Sequence, residues 1–211
     1  KNEVKKEKTK DIVKTEKESK NDFLYEYKKL SAGDCKKILK ANGIKYNEKS
    51  FLAEAEKNDT QNVAYFLGAG MNPDVKGESE TTPLIWASFN GNKQIMGLLI
   101  ENGANVNWSN KDGFTPLMAA VEKDNIAAIK YLLQKKTKVN VSTFADKTTP
   151  LHIACYNGSK ESIELLTVAG ANVNAKNSNG ITPLVTAIMY GNSEVVEYLK
   201  SQEIGRAHVW T

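Results

Sequence analysis

Thr149-Pro150-Leu151-His152-Ile153-Ala154 is the stretch that decides the fold of this chain, because near copies of it recur at a fixed step. Thr-Pro-Leu stands at four places, and the steps between successive prolines are 33, 34 and 33 residues; these are Pro83, Pro116, Pro150 and Pro183. A second repeated stretch, which ends in Val-Asn, begins twenty residues after each of the first three prolines. Its copies are residues 103–107, 136–140 and 170–174. Self-similarity at such a period indicates a repeat architecture.

The local signals inside one period predict a helical hairpin. The Thr82 hydroxyl can cap a helix, and Pro83 suits the first helical position, where its missing N–H would be unpaired anyway. Asn90-Gly91 tolerates the positive φ that ends this helix. A second helix carries a wide apolar face over 95–100, and Gly103 fits the left-handed position after it. We therefore expect two antiparallel helices and a projecting turn.

One such hairpin cannot bury its own apolar face, so neighbouring hairpins must stack. Small residues on the predicted first helices would let them approach closely; these are Ala87, Ala119, Ala120, Ala154 and Ala187. Lys136 stands where Gly103 and Gly170 stand in other periods, and a non-glycine residue in that conformation costs about 1–2 kcal/mol. We expect the array to tolerate this penalty, with a locally weaker spot there.

The four Thr-Pro-Leu turns at one spacing resemble the ankyrin-repeat family over roughly residues 48–203. The resemblance implies an all-α solenoid of stacked helix-turn-helix units with projecting β-turn tips. We expect a repeat domain over 29–203, with a degenerate N-terminal cap at 29–49 and a degenerate repeat at 50–81. Four further units follow, here named units 1 to 4: 82–114, 115–148, 149–181 and the truncated 182–203.

The two ends of the chain depart from this pattern. Residues 1–28 are rich in Lys and Glu, and over 1–30 ten Lys stand against seven Asp or Glu. We expect a charged linker or frayed helix; the alternative is a basic arm for nucleic acid or an acidic membrane, which the interleaved glutamates disfavour. Residues 204–211 abandon the repeat and resemble translated adapter sequence, so we expect a non-native tail.

Composition bounds the remaining possibilities. The chain has 211 residues, 40% of them hydrophobic, and a net charge of +4. No apolar run approaches the roughly 20 residues needed to span a bilayer. Cys155 replaces a small buried alanine of the family pattern, and we expect a free core thiol there. The sequence does not decide between a cytoplasmic protein and one that is exported after loss of an N-terminal signal.

Three further residues lie outside the strongest pattern. Asp34 is expected to cap a helix that ends at Asn42-Gly43. The resemblance places Trp86 at a position that is usually a buried leucine, so we expect it in the core. Trp108 is left undecided between core and surface.

We find no pattern that predicts catalysis. Apart from the tail, His152 is the one histidine, and the resemblance implies that it hydrogen-bonds between neighbouring units. The chain has no Cys/His cluster with zinc spacing, no phosphate-binding glycine loop and no nucleophile motif. We expect a non-enzyme without cofactor or metal.

A concave recognition surface is what the resemblance implies instead. Ankyrin arrays bind proteins with their tips and with the residue pair that follows each alanine-rich helix. The partner-binding candidates in this sequence are Phe89, Asn90, Lys111, Asp112, Phe114, Glu122, Lys123, Tyr156, Asn157, Ser178, Asn179, Met189 and Tyr190. Phe89, Tyr156 and Tyr190 are expected on one ridge beside Phe114. The alternative is that these rings only cover helix ends.

The expected partner is an unknown protein, bound by a monomer, with no nucleic acid. The alternative hypothesis is that the chain is an accessory recognition array of a larger enzyme or effector.

Overall fold

A computed structural model describes residues 27–207, with side chains described for 27–202. The predicted linker at 1–28 lies almost wholly outside the described residues, as do the last four residues of the predicted tail. Within 27–207 the regular structure is helical and contains no strand. The α-helices are α1 (Ala32–Ala41), α2 (Glu48–Glu56), α3 (Thr60–Gly68), α4 (Pro83–Phe89), α5 (Lys93–Glu101), α6 (Pro116–Glu122), α7 (Ile126–Gln134), α8 (Pro150–Asn157), α9 (Lys160–Val168), α10 (Pro183–Met189) and α11 (Ser193–Ala207). Short 3-10 turns stand at Tyr27–Lys29 and Glu78–Glu80.

The four Thr-Pro-Leu stretches begin four equivalent helices. Each proline occupies the first turn of α4, α6, α8 or α10, as the sequence predicts. The hydroxyls of Thr115, Thr149 and Thr182 accept hydrogen bonds from backbone N–H groups three residues on. The predicted cap at Thr82 is wrong in detail, because its buried Oγ1 has no hydrogen-bond partner among the described atoms.

The helices form two stacked layers. The first helices of the hairpins, α2, α4, α6, α8 and α10, pack against one another in sequence order. The second helices, α3, α5, α7, α9 and α11, form the other layer, and α1 packs against α3 at its N-terminal end. This arrangement confirms the all-α solenoid.

One continuous apolar core runs through the stack. Leu84, Leu117 and Leu151 hold equivalent positions in units 1, 2 and 3, and all are fully buried or nearly so. The alanines predicted to admit close approach are fully buried on α4, α6, α8 and α10. Burial of each such leucine stabilises the fold by about 1.5–3 kcal/mol, which exceeds the penalty of a single strained residue.

Two sequence predictions near the N-terminal end need correction. The cap of α1 is Ser31, whose hydroxyl accepts from the Asp34 N–H at 3.1 Å, so Asp34 lies inside the first turn. Trp86 is not a core residue: it is half-buried, and its ring meets Phe89 edge-on at 6.1 Å. Its equivalent in unit 3 is Ile153, which is also half-buried, and each of the two lines a groove on the surface.

Unit 2 carries the two irregularities that the sequence predicts. Lys136 has φ of 58°, the left-handed conformation that Gly103 and Gly170 adopt at equivalent positions. Whether this makes a locally weaker spot stays a prediction. In the tip that follows, Lys147 has φ of 56° in place of a glycine, and the closing bond joins Thr143 N–H to Thr148 O. The equivalent bonds at Asn110 and Asn177 span one residue fewer, so the extra residue enlarges this turn.

Asparagine side chains tie each unit to the one before it. Nδ2 of Asn125 donates to Phe89 O at 2.7 Å, and Nδ2 of Asn192 donates to Cys155 O at 2.8 Å. These carbonyls belong to the last turns of α4 and α8, where no later helical N–H group is available to donate to them. The repeated asparagines therefore complete the ends of the first helices across each junction.

Candidate functional site

The concave face is built from the C-terminal ends of the first helices and from the tips. At the C-terminal end of each first helix, six residues after the proline, units 1 to 4 present Phe89, Glu122, Tyr156 and Met189 in succession. The next position presents Asn90, Lys123, Asn157 and Tyr190. All eight were predicted for partner binding, and all are exposed except Phe89, which is half-buried.

A groove of about 480 Å³ lies between units 3 and 4, and we name it the Tyr156–Tyr190 groove. It brings together six of the predicted partner-binding residues: Phe114, Glu122, Tyr156, Asn157, Met189 and Tyr190. The other described residues that line it are Thr143, Asp146, Thr148, His152, Ile153, Asn177, Ile181 and Thr186. The wall thus combines both helix ends with the tips of units 1, 2 and 3.

An aromatic pair forms the centre of this groove. The rings of Tyr156 and Tyr190 meet at a centroid distance of 4.5 Å and an angle of 75°. Their exposed fractions are 56% and 54%, and Met189 beside them is 62% exposed. Tyr156 sits near the end of α8 and Tyr190 caps α10, so two stacked helices hold the rings in place.

Phe89 belongs to a separate cluster. Its ring contacts Trp86, and the Lys123 ammonium lies 4.4 Å from its centroid. Phe89 is not among the residues that line the Tyr156–Tyr190 groove. The expected single ridge is therefore divided, with Glu122 standing between the two aromatic clusters in the order of the units.

Two of the predicted residues, Asn90 and Asn157, use their side-chain amides in hydrogen bonds within the fold. Asn90 Nδ2 donates to Glu56 O at 3.1 Å, and Asn157 Nδ2 donates to Val121 O at 2.9 Å. Both bonds cross a junction between units. Each Nδ2 group is therefore engaged by the fold, whereas the Oδ1 atoms of these exposed side chains have no hydrogen-bond partner among the described residues and can still accept a hydrogen bond from a ligand.

The tips are joined by backbone hydrogen bonds. Lys111 N–H donates to Ser79 O, Phe144 N–H to Asp112 O, and Ser178 N–H to Asp146 O, at 2.9, 2.9 and 2.8 Å. The side chains of the predicted tip residues Lys111, Asp112, Ser178 and Asn179 are exposed, but they do not line the groove. The ladder makes the tips one rigid edge of the concave face.

Asp146 is a groove residue that the sequence reasoning missed. Its carboxylate accepts from the hydroxyl of Thr143 and from the hydroxyl of Thr148, the latter at 2.8 Å. These hydrogen bonds hold the pKa of Asp146 below its usual value. The available signal was the enlarged tip itself, in which Asp146 precedes Lys147 as Asp112 precedes Gly113 in unit 1.

His152 and Cys155 occupy structural positions. His152 Nε2 lies 3.0 Å from Ile181 O and Nδ1 lies 2.8 Å from Thr149 Oγ1. Both partners belong to unit 3, so these bonds do not show the expected bridge to a neighbouring unit, although Ile181 is the last residue before unit 4. Burial lowers the pKa of His152, so the neutral ring is favoured. Cys155 is a fully buried free thiol, as expected, and burial raises its pKa to about 12.

Neither His152 nor Cys155 is positioned to take part in catalysis. A thiol with that pKa is a poor nucleophile at neutral pH, because the thiolate is the reactive form. Across the residues that the structure describes, no three His, Cys, Asp or Glu side chains gather as metal ligands would. The same part of the chain holds no helix of the length and apolarity that crossing a bilayer requires.

A second groove, of about 590 Å³, lies toward the N-terminal end of the concave face. It is lined by Leu52 and Trp86 and by charges of both signs, which include Lys49, Lys76 and Glu56. Lys76 already lies 3.9 Å from the Trp108 ring centroid and 3.6 Å from Glu80. Trp108, which sequence left undecided, is half-buried and donates from Nε1 to Glu80 O at 2.9 Å.

Comparison with known proteins agrees with this architecture. The family model for ankyrin repeats (3 copies) matches residues 51–144 and 136–208. A putative ankyrin repeat protein of Fowlpox virus is 33% identical over 183 residues, which cover 79% of this chain and 53% of that protein. The Transient receptor potential cation channel subfamily A member 1 of Homo sapiens is 28% identical over 72% of this chain and 14% of its own length.

The palmitoyltransferase AKR1 of Lachancea kluyveri is 31% identical over 65% of this chain and 19% of that protein. The chain thus spans at most about half the length of these relatives. The matched repeats cover well over half of the chain, and their register is that of the stacked hairpins described above. The chain therefore belongs to the ankyrin-repeat family.

Proposed function

We propose that this chain binds a partner protein non-covalently through its concave face, and that the Tyr156–Tyr190 groove is the centre of the binding site. The observation that carries the proposal is the exposed tyrosine pair, held at 4.5 Å by two stacked helices. Rigid aromatic side chains at the middle of a preformed surface are the residues that most often dominate binding energy. Ankyrin repeats generally serve as protein-interaction modules, which agrees with this role.

The distribution of exposed apolar side chains favours this groove over the N-terminal one. Among described residues, the exposed large apolar side chains all lie between positions 144 and 190. Tyr156, Met189 and Tyr190 are three of them, and they adjoin one another in the groove. In contrast, Trp86 and Phe89 are half-buried and contact each other. Burial of the exposed group by a partner would remove more apolar surface from water.

The remaining predicted residues take secondary roles in this proposal. Glu122 and Phe114 contribute to the walls of the groove. Asn157 also lines it, and its side chain is held by the hydrogen bond from Nδ2 to Val121 O. The tip residues Lys111, Asp112, Ser178 and Asn179, together with Phe89, Asn90 and Lys123, form a rim that a larger partner would reach. Rim contacts exclude water and contribute little energy individually.

We propose that this region performs no catalysis and acts as a monomer. The buried neutral His152 and the high pKa of Cys155 support the first point. The second candidate function is an accessory array of a larger enzyme or effector. It is favoured by the small share of the palmitoyltransferase that this chain matches, and the complete reading frame would test it.

The binding proposal is tested with a displayed library of random linear peptides selected on this chain. Affinities of the selected peptides are then measured for the wild type and for Tyr156→Ala/Tyr190→Ala. We expect the double variant to lose at least about tenfold in affinity, because hot-spot aromatics contribute about 2 kcal/mol or more.

Two variants serve as controls. Val168→Ala removes a side chain that is 87% exposed on α9 outside the groove, and Trp86→Ala alters the N-terminal groove. Both should bind as the wild type does. Unchanged affinity of the double variant, with an unchanged circular dichroism spectrum, or failure to select any peptide, would refute the proposed site.

A further inference from the structure

The charges that line the Tyr156–Tyr190 groove are of one sign. Among its described lining residues, Glu122 and Asp146 are the charged ones, and no lysine or arginine is present. His152 also lines the groove, but burial lowers its pKa and both ring nitrogens are occupied by Thr149 and Ile181. The chain as a whole carries +4, so the groove has the opposite sign to the rest of the molecule.

The lysine nearest in the pattern of units is directed elsewhere. Lys123 follows Glu122, yet its ammonium lies over the Phe89 ring of unit 1 at 4.4 Å. Asp146 is kept ionised by the hydroxyls of Thr143 and Thr148. Among the described residues neither Glu122 nor Asp146 forms an ion pair, and Lys147, which follows Asp146, does not line the groove.

Lysines elsewhere in the described structure cover aromatic rings. Phe89, Trp108, Tyr46 and Tyr131 each have a lysine ammonium within 3.9–5.5 Å of the ring centroid. Neither Tyr156 nor Tyr190 has such a partner among the described lysines. In a T-shaped pair only one of the four ring faces is covered by the other ring, and both tyrosines are more than half exposed in a groove that Glu122 and Asp146 also line.

From this juxtaposition we infer that the groove takes a lysine or arginine side chain of the partner, presented by an extended segment with an apolar residue next to it. The cation lies against the exposed tyrosine rings and near Glu122 and Asp146, while the apolar neighbour packs on Met189 and Ile153. The inference rests on the proposed function, because it specifies the chemistry of the segment that the same groove binds.

The same charges disfavour other ligand classes. A phosphorylated or acidic segment would bring like charges toward two carboxylates, which costs affinity. Nucleic acid carries a phosphate at every step and meets the same repulsion at this surface. A purely apolar segment would leave the two carboxylates without a counter-charge as water is expelled from the groove.

The peptide selection described above supplies the first measurement. We expect the selected sequences to be enriched in Lys or Arg directly beside an apolar residue. Replacing that Lys or Arg by Gln in a synthetic peptide should weaken binding about threefold or more, the range of an exposed cation–π contact or ion pair. Selected sequences without a basic residue, or with acidic residues at the shared position, overturn the inference.

A charge-neutral variant of this chain gives the second measurement. Glu122→Gln keeps the shape of an exposed side chain and should weaken binding of the basic peptide by a similar factor, less so as salt rises. Glu197→Gln, on α11 outside the groove, is the matched control and should have no effect. Asp146 is avoided because its carboxylate holds the tip.

The two proposals fail in different ways. If Tyr156→Ala/Tyr190→Ala abolishes binding while Glu122→Gln and the Gln-substituted peptide bind normally, the groove binds proteins but not through a basic side chain. If the double tyrosine variant binds as the wild type does, the proposed site itself is refuted and this inference with it.

Discussion

The junction between units 1 and 2 and the junction between units 3 and 4 share a scaffold and differ in their surface. Both are closed by an asparagine amide, Asn125 or Asn192, which donates to a helix-end carbonyl of the preceding unit. At the first junction the Phe89 ring is covered by Lys123, whereas at the second the Tyr156 ring meets Tyr190 and is 56% exposed. The repeated residues hold the stack, and the variable positions decide which junction offers a binding surface.

The largest expected effect concerns the shared core. Leu84→Ala and Leu151→Ala remove equivalent, fully buried side chains at the two junctions, and each should lower the free energy of unfolding by about 2–5 kcal/mol. Leu184 holds the same position in unit 4 but is only half-buried, so Leu184→Ala should cost less. Urea denaturation of the three variants measures this. Equal losses at all three positions would show that unit 4 is as well covered as the interior units.

The asparagine bridges should contribute equally at both junctions. Asn125→Ala and Asn192→Ala each leave a helix-end carbonyl without its side-chain donor and should destabilise the fold by about 1 kcal/mol. The same denaturation experiment compares them. A loss at one junction alone would mean that the scaffolds are not equivalent.

Acid should distinguish the junctions, because His152 is present only at the second. Its equivalents are Ile85 in unit 1 and Met118 in unit 2. Burial lowers the native pKa of His152 below its ordinary value of 6.5, and Asp146 opposes this shift only in part. As pH falls below 6.5 the unfolded chain binds the proton first, so stability is full above that pH and declines below it.

This pH dependence is measured as the urea midpoint at several pH values between 7 and 5. We expect His152→Gln to show a flatter profile over that window than the wild type. Parallel profiles would mean that His152 has the same pKa in the native and unfolded states. Carboxylates with lowered pKa values, such as Asp146, contribute in a separate and more acidic window.

The smallest expected effect concerns the covering of Phe89. Lys123→Ala removes an exposed lysine from the ring and should change stability by no more than about 1 kcal/mol, the range of an exposed cation–π contact. It should also leave peptide affinity at the Tyr156–Tyr190 groove unchanged. A change in that affinity would show that the two aromatic clusters act as one site.

Much of the fold follows from the sequence because its signals are local and repeated. The prolines at the first helical turn and the left-handed glycines depend on backbone geometry within one hairpin, and the buried alanines recur at one position where successive first helices pack. His152 was expected to bond between units, but its partners Thr149 and Ile181 both lie within unit 3.

The features that the sequence did not predict correctly have a different origin. Thr82 fails to use its hydroxyl for capping, Trp86 is half-buried, and Asp146 enters the groove from a tip of another unit. Nothing in the structure explains why Thr82 does not cap its helix. Trp86 contacts Phe89 on its own helix, whereas Asp146 reaches the groove from unit 2, and the repeat pattern contains neither contact. Likewise, Phe89 and Tyr156 occupy equivalent positions, and only the neighbouring unit decides that one is covered and the other open.

The most direct test of the account is to map where a selected peptide binds, using amide chemical-shift changes in the isotope-labelled chain. We predict that the largest changes cluster at the C-terminal ends of α8 and α10, around Tyr156, Met189 and Tyr190. Largest changes on the second-helix layer, or around Trp86 in the N-terminal groove, would contradict the claim that the Tyr156–Tyr190 groove is the recognition site.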